Sequence, residues 1–191
     1  FKHTQTLLSC VCKTCGRVLL PEAERRSFLR QMRAPHADAL RKAAIFKKVV
    51  DKCKKAAFCF ECKAVNGKIK KIAGAAMLKL IHERYGGRHG QLEQRALTDA
   101  MGTALAHNRE IANHLDKAQE DMSPLRVYQL FKKITDEDAV VLWLNPKHGR
   151  PEDLLLHNLL VPPVPIRPSV AMEVGGGSNE DDLTTQLVEI L

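Results

Sequence analysis

Apolar side chains recur at three- and four-residue intervals along most of the sequence, which is the pattern of amphipathic helices. In residues 37–50, for example, the residues expected to face inward are Leu40, Ala44, Ile45 and Val49, and the basic residues are expected to face outward. The predicted helices cover residues 21–34, 37–50, 75–85, 91–121, 123–134, 135–144, 149–160 and the acidic segment that follows residue 178.

Two of these helices have clear start signals. Ser123 precedes Pro124, which is a helix cap followed by a first-turn proline. Thr135 stands three positions before Asp138, the spacing of a capping box. The helix after Ser123 is expected to bury its apolar side chains, which are Leu125, Val127, Leu130, Phe131 and Ile134.

Strand signals are few. Asn66-Gly67 predicts a tight turn, and Lys68 to Ile72 alternates basic and apolar residues like a short exposed strand. The expected fold class is therefore mainly α with small β elements near the cysteine-rich segments.

A proline-rich segment covers residues 161–169, with four prolines between Pro162 and Pro168. Proline fixes φ and removes a backbone donor, so we expect a stiff polyproline-like rod. Its one cation, Arg167, is expected to anchor a carboxylate or the backbone of a neighbouring element, with a nucleic-acid contact as the less favoured alternative. A proline-rich spacer or an SH3-type ligand is the alternative.

The rod is followed by three glycines, 175–177, which predict a swivel. Ser178 or Asn179 should then cap a helix that begins with Glu180, Asp181 and Asp182. We expect three regions: a basic metal-binding head (residues 1–72), a helical core (73–160), and the rod with the start of a further helix (161–191). The chain begins without Met and ends inside a periodic run, so we expect an incomplete excerpt of a larger multidomain chain.

Charge is distributed unevenly over the 191 residues, whose formal net charge is +8. Residues 1–90 hold 21 Lys and Arg against 6 Asp and Glu, whereas residues 91–191 hold 9 against 16. A basic half is typical of a polyanion-binding surface, or simply of a solvated helix face. The candidate phosphate-contacting residues are Lys52, Lys54, Lys55, Lys63, Lys68, Lys70 and Lys71. Aromatic residues are only 5%, which disfavours a base-stacking platform.

Two C-x-x-C motifs indicate a metal site: Cys12 with Cys15, and Cys59 with Cys62. Two such pairs complete a four-thiolate site, which suits structural zinc. Cys53 could replace Cys59 as the third ligand. A disulfide would need an oxidising compartment, and a thioredoxin-type redox site would need a βαβ context.

Other residues that could carry chemistry have simpler explanations. Cys10 is expected to point away from Cys12 into the core. The histidines His3, His82 and His107 are expected at the surface or in the core rather than at a metal. The acidic clusters at residues 136–138 and 180–182 lie at helix starts, where the helix dipole explains them. We find no glycine-rich phosphate loop, no nucleophile–base arrangement and no apolar run of membrane-spanning length, so no membrane partner is expected.

Taken together, these segments resemble the clamp region of the largest subunit of multisubunit RNA polymerases. The resemblance rests on the patterns at residues 10–16, 51–53, 59–67, 130–134, 145–146, 161–170 and 179–184. The spacing from Pro165–Val170 to Asn179–Thr184 is more similar to the polymerase III members of the family than to the polymerase II members. The resemblance extends over essentially the whole chain and is loosest at residues 72–122.

The resemblance implies a clamp-type domain stapled by zinc on Cys12, Cys15, Cys59 and Cys62. Polymerase II relatives use the position that matches Cys53, which keeps the third ligand open. The helix near Glu180 would begin the clamp coiled coil, which meets initiation factors. The other implied partners are DNA, the RNA–DNA hybrid and the second-largest subunit, and the implied location is the nucleus.

The whole enzyme in this family is a DNA-directed RNA polymerase, a nucleotidyltransferase. Its magnesium-binding motif, Asn-Ala-Asp-Phe-Asp-Gly-Asp, is absent from this sequence, so we expect magnesium in the whole enzyme and no catalytic residue here. The main hypothesis is a clamp fragment of polymerase III, which transcribes small RNAs. The alternatives are a stand-alone zinc-dependent nucleic-acid-binding module and a scaffold whose basic half binds acidic proteins.

Overall fold

Helices and short antiparallel sheets make up the chain, as a computed structural model shows for residues 1–73, 78–85, 90–112, 118–171 and 178–190. The helices are α1 (Lys2–Cys10), α2 (Glu22–Arg33), α3 (Ala39–Lys55), α4 (Gly90–Ala100), α5 (Gly102–His107), α6 (Pro124–Lys132), α7 (Asp136–Val141) and α8 (Asp182–Ile190). The strands are β1 (Lys68–Ala73), β2 (Leu78–Glu83), β3 (Gln119–Asp121), β4 (Val170–Ala171) and β5 (Ser178–Asn179). The predicted fold class, mainly α with small β elements, is confirmed.

The chain forms two compact units, Phe1–Leu155 and Leu156–Leu191. The division expected near residues 72 and 160 stays a prediction. In the described part of the chain, no helix combines the length and the apolar character needed to cross a membrane.

The core of the first unit is assembled from α1, α2, α3, α6, α7 and the segment that contains the first cysteine pair. Its fully buried large apolar side chains are Leu7, Leu8, Val11, Val18, Leu19, Leu20, Val49, Phe131, Ile134, Val141 and Leu142. The helix α1 was not predicted, although it contributes Leu7, Leu8 and Cys10 to this core. Leu40 and Ala44, expected to face inward, are both exposed, Leu40 to 82%, because the buried face of α3 begins only at Ile45.

Both predicted caps are present. The Ser123 hydroxyl accepts from the amide of Arg126, and the Thr135 hydroxyl accepts from the amide of Asp138. Of the side chains expected to be buried on α6, Leu125 is the exception, at 65% exposure.

The helix α7 ends at Val141, three residues before the predicted end. Trp143 adopts φ 61°, and the amides of Trp143 and Leu144 donate to the carbonyls of Val140 and Ala139. This is a Schellman motif, in which a left-handed residue closes the helix. Trp143 is 44% exposed as a result.

Among the described residues of the helix predicted at 75–85, the strand β2 (Leu78–Glu83) is present instead, and residues 75–77 lie outside the described part of the chain. The register pairs β1 with β2 from Lys68↔Glu83 to Ala73↔Leu78, and β3 joins the other edge of β2. The helical region predicted over 91–121 contains α4 and α5 as expected, but its predicted end is wrong, because residues 119–121 are β3.

The helix predicted over residues 149–160 is only a 3-10 turn, Pro151–Leu154. Short helices depend on packing of an apolar face. Leu156 and Leu160, which would continue that face, are 79% and 94% exposed.

In the second unit, the expected extended rod is interrupted by a 3-10 turn, Val164–Ile166. Proline restricts φ but leaves ψ free, so it accommodates this turn. Arg167 Nε donates to Pro162 O at 2.9 Å, which is backbone of the rod itself rather than of a neighbouring element. Its partner on α8 is the hydroxyl of Thr184, at 3.2 Å, rather than a carboxylate.

The cap of α8 is Asp181, whose carboxylate accepts from the amide of Leu183 at 2.9 Å. Ser178 and Asn179, the predicted caps, instead pair with Ala171 and Val170 as β5. The swivel predicted at 175–177 lies outside the described residues.

Candidate metal centre

The first cysteine pair occupies a tight turn between α1 and α2. The amide of Cys12 donates to Arg17 O at 2.9 Å, and the amide of Gly16 donates to Cys12 O at 3.0 Å. Gly16 has φ +77°, and a Cβ there would lie 2.6 Å from the Cβ of Lys133. Glycine therefore allows both the left-handed backbone and the close approach of the segment after α6.

The second pair forms the same turn after α3. The amide of Cys59 donates to Ala64 O at 2.8 Å, and the amide of Lys63 donates to Cys59 O at 3.1 Å. Lys63 adopts φ 60° at the position equivalent to Gly16. Each C-x-x-C segment is thus a backbone-bonded turn, hereafter a knuckle: residues 12–16 and residues 59–63.

The two knuckles bring four sulfur atoms together. Sγ of Cys12 lies 3.5 Å from Sγ of Cys62, and Sγ of Cys15 lies 3.6 Å from Sγ of Cys59. All four Sγ atoms lie within 4.8 Å of one another. A tetrahedral zinc ion with Zn–S bonds of about 2.3 Å separates its sulfurs by about 3.8 Å, so the donor set fits such an ion.

Cys53 and Cys10 lie outside this group. Both are fully buried, and a hydrogen bond with Cys10 is the largest cause that raises the pKa of the Cys53 thiol. Cys10 is therefore a core residue, as expected. Cys53 belongs with Cys10 in the core, while Cys59 occupies the third position of the four-sulfur group.

The thiols differ in their readiness to ionise. Burial acts to raise the pKa of Cys12, but amide hydrogen bonds from Cys15 and Thr14 lower it to about 7. Burial raises the pKa of Cys15 and of Cys59. A bound cation would lower all of these values, because thiolates rather than thiols ligate metals.

A buried carboxylate ties the knuckles to the rest of the unit. Asp138 on α7 is fully buried, and its oxygens lie 3.3 Å from Nε of Arg17 and 3.5 Å from Nε of Arg25. Arg25 also contacts Glu61, inside the second knuckle, at 3.1 Å. Burial raises the pKa of Asp138, and the two guanidinium groups act in the opposite direction.

The dipole explanation for Asp138 was therefore incomplete. The position of Asp138 in the sequence indicates the start of a helix. It does not indicate the ion pairs with Arg17 and Arg25, which lie more than a hundred positions earlier.

The sequence does not indicate a second set of contacts either, which joins Lys13, Asn66 and His82. Lys13 Nζ, in the first knuckle, donates to Asn66 Oδ1 at 2.7 Å, and Nε2 of His82 lies 2.8 Å from Asn66 O. Burial lowers the pKa of Lys13 to about 8, against the attraction of Cys12 and other thiols. His82 is 3% exposed and is a core residue, one of the two expected locations.

The lysines expected to contact nucleic acid lie at the end of α3, in the second knuckle (Lys63) and on β1, and all are exposed. Two of them have carboxylate partners: Lys52 lies 2.8 Å from Glu24, and Lys70 lies 2.7 Å from Glu83. The structure brings these lysines to one unit with the cysteine group, and their contact with nucleic acid stays a prediction.

Known proteins resemble the chain along its whole length. The family described as RNA polymerase Rpb1, domain 1, matches residues 1–191. The chain is 44% identical over 192 residues to DNA-directed RNA polymerase III subunit rpc1 of Schizosaccharomyces pombe and 40% identical over 193 residues to subunit RPC1 of Homo sapiens. It is 31% identical over 190 residues to DNA-directed RNA polymerase subunit Rpo1N of Methanocaldococcus jannaschii.

These alignments include 100% of this chain but only 12–14% of each of the three relatives. The chain thus spans about an eighth of their length.

Proposed function

The chain belongs to the RNA polymerase Rpb1 domain 1 family, and from that premise we propose that it is the clamp-forming first domain of the largest subunit of RNA polymerase III. The observation that carries the proposal is the match over the entire chain, with 40–44% identity to polymerase III subunits of several eukaryotes. The work of this domain is to close over the polymerase cleft and retain nucleic acid there.

One structural zinc ion, held by Cys12, Cys15, Cys59 and Cys62, is the proposed cofactor. The support is the distance within which the four sulfurs lie, together with the preference of four soft thiolates for zinc. The ion would supply a rigid link between two segments 44 residues or more apart. Arg17, Arg25 and Glu61 would extend that link to Asp138.

The proposed ligands of the basic surface are DNA and the RNA–DNA hybrid. Lys54, Lys55, Lys68 and Lys71 project into solvent, and no carboxylate lies within ion-pair distance of them in the described ranges. Cations of this kind contact phosphates without reading sequence. Lys52 and Lys70 already form ion pairs with Glu24 and Glu83, so their contribution to phosphate binding should be smaller.

The remaining partners follow from family membership. We place α8 at the start of a coiled coil that contacts initiation factors, and the second-largest subunit beside the clamp. Nucleotide addition, with its magnesium, belongs to the assembled enzyme, which acts in the nucleus. The stand-alone module is not favoured, since the family and its relatives match the chain from end to end.

A binding experiment tests the nucleic-acid part. The zinc-loaded chain is titrated with a labelled DNA duplex and with an RNA–DNA hybrid at several salt concentrations. Phosphate contacts predict that the logarithm of the association constant falls linearly with the logarithm of salt concentration. Binding that is insensitive to salt, or absent at low salt, would contradict the proposal and favour a scaffold for acidic proteins.

The metal part has its own test. Single Cys→Ser changes at positions 12, 15, 59 and 62 should lower zinc affinity, whereas Cys53→Ser should leave the zinc content at one ion per chain. Zinc is counted by mass spectrometry under non-denaturing conditions. Loss of zinc in Cys53→Ser and its retention in Cys59→Ser would reverse the ligand assignment.

A further inference from the structure

We propose that Lys13, Asn66 and His82 form a bridge that holds the two knuckles in register and thereby slows metal loss; this rests on the proposed zinc centre. Lys13 lies inside the first knuckle, and its Nζ donates to Asn66 Oδ1 at 2.7 Å. The two residues are 53 positions apart, and Asn66 follows the second knuckle by three positions. The contact is therefore a direct hydrogen bond from one knuckle to the flank of the other.

Every polar atom of Asn66 has a hydrogen-bond partner. Its Nδ2 donates to Ala56 O at 2.8 Å and to Cys53 O at 3.4 Å, which are carbonyls at the end of α3. Its amide donates to Ala57 O at 2.9 Å. These donors fix the orientation of the side-chain amide, so Oδ1 is left facing Lys13 as an acceptor.

His82 completes the bridge from the sheet. Because Asn66 O can only accept, Nε2 of His82 is the donor across the 2.8 Å contact. Asn66 and His82 are 4% and 3% exposed, so water does not compete strongly for these hydrogen bonds. A displacement of Asn66 would therefore disturb α3, β2 and the first knuckle together.

The positive charge of Lys13 gives this residue a second role, which is to offset the negative charge of the metal–thiolate group. Four thiolates on one divalent cation carry two net negative charges. Within the described ranges, no carboxylate lies within ion-pair distance of Lys13, and its partner Asn66 is neutral. Because Lys13 lies in the knuckle between Cys12 and Cys15, its ammonium group can offset part of that negative charge, as partners outside the ligand set commonly do.

Zinc release tests the bridge. The zinc-loaded chain is mixed with a chelator whose colour reports free zinc, and release rates are compared among variants. Lys13→Met removes the donor and the charge, and release should become about tenfold faster, as for other residues that support metal ligands. Lys13→Arg keeps both properties and should restore a rate close to that of the original chain.

Lys63→Met is the matched control. Lys63 directly follows Cys62 and is exposed. Among the residues that the structure describes, its ammonium group donates within its own knuckle, to Phe60 O at 3.0 Å. The Lys63→Met substitution removes one positive charge near the same metal and leaves the hydrogen bonds of the bridge intact. Equal release rates for Lys13→Met and Lys63→Met would overturn the proposal.

Two further observations separate the bridge from a general loss of stability. The absorption spectrum of the cobalt-substituted chain should change in Lys13→Met and not in Lys63→Met, since it reports the arrangement of the sulfurs. If Lys13→Met does not fold, the zinc release rate of Lys13→Gln is compared with that of Lys63→Met instead. If the original chain binds no zinc, the metal centre fails and the bridge with it, whereas equal release rates with one bound zinc overturn the bridge alone.

Discussion

Arg17 and Asp138 lie 3.3 Å apart, from Nε to Oδ2, and join the residue directly after the first knuckle to a helical residue 121 positions later in the chain. Asp138 is fully buried, and the Arg17 side chain is 28% exposed. Arg25 approaches the other carboxylate oxygen and reaches Glu61 in the second knuckle. One carboxylate is therefore the common anchor of the elements that present both cysteine pairs.

The first prediction concerns this anchor. Asp138→Asn keeps the shape of the side chain but leaves two guanidinium groups without their buried countercharge. The free energy of unfolding should fall by about 3 kcal/mol, as measured by chemical denaturation with zinc present. Asp136→Asn, on the same helix but exposed and paired with Arg150, should cost less than about 1 kcal/mol. Equal losses would show that Asp138 is not a special anchor.

The second prediction concerns Gly67, which has φ +66°. A Cβ there would lie 2.4 Å from Glu83 O and 2.5 Å from Nε2 of His82. Gly67→Ala should therefore destabilise the chain by about 2 kcal/mol, through backbone strain and displacement of β2. Gly102→Ala, where nothing lies within 4 Å, is the control and should change stability little. Thermal unfolding of both variants checks this, and a neutral Gly67→Ala would contradict the close packing.

The third prediction is a pH dependence. Burial lowers the pKa of His82 in the folded chain, although the hydrogen bond to Asn66 acts in the opposite direction. As pH falls, the unfolded state therefore binds the proton first, and stability is lost below the ordinary histidine pKa of about 6.5. The free energy of unfolding should fall more steeply with decreasing pH in the original chain than in His82→Gln. Parallel curves between about pH 7.5 and pH 5.5 would contradict a neutral buried His82.

The fourth prediction separates free from paired lysines. Lys54→Ala with Lys55→Ala should reduce the slope of log affinity against log salt by about two, since each phosphate contact contributes about one. Lys52→Ala with Lys70→Ala removes the same number of charges from residues already paired with Glu24 and Glu83, so its effect should be smaller. Duplex titrations measure both slopes. A larger change of slope in the Lys52→Ala, Lys70→Ala variant would contradict this assignment and indicate that nucleic acid binds a different surface.

Features that depend on a few neighbouring residues could be predicted from the sequence. The caps at Ser123 and Thr135 each depend on a hydroxyl and an amide three positions away. The knuckles depend on C-x-x-C spacing, and their backbone turns place both sulfurs of a pair on one side. The convergence of the pairs was expected from the ligand count of zinc rather than from the intervening sequence.

The errors fall where distant contacts decide the structure. Residues 78–83 contain apolar and polar residues in an order compatible with either helix or strand, and pairing with β1 and β3 selects the strand. The segment after Leu154 has apolar residues at helical spacing, but Leu156 and Leu160 remain exposed and no helix forms. The Lys13–Asn66 contact could not be predicted, because it becomes visible only when both knuckles are in place.

The most direct test of the account is X-ray absorption at the zinc edge of the purified, zinc-loaded chain. The four-cysteine centre predicts one zinc per chain with four sulfur neighbours at about 2.3 Å and no nitrogen or oxygen neighbour. The same spectrum should be obtained from Cys53→Ser. A nitrogen or oxygen neighbour in the original chain, or a changed spectrum in Cys53→Ser, would contradict the four-cysteine centre.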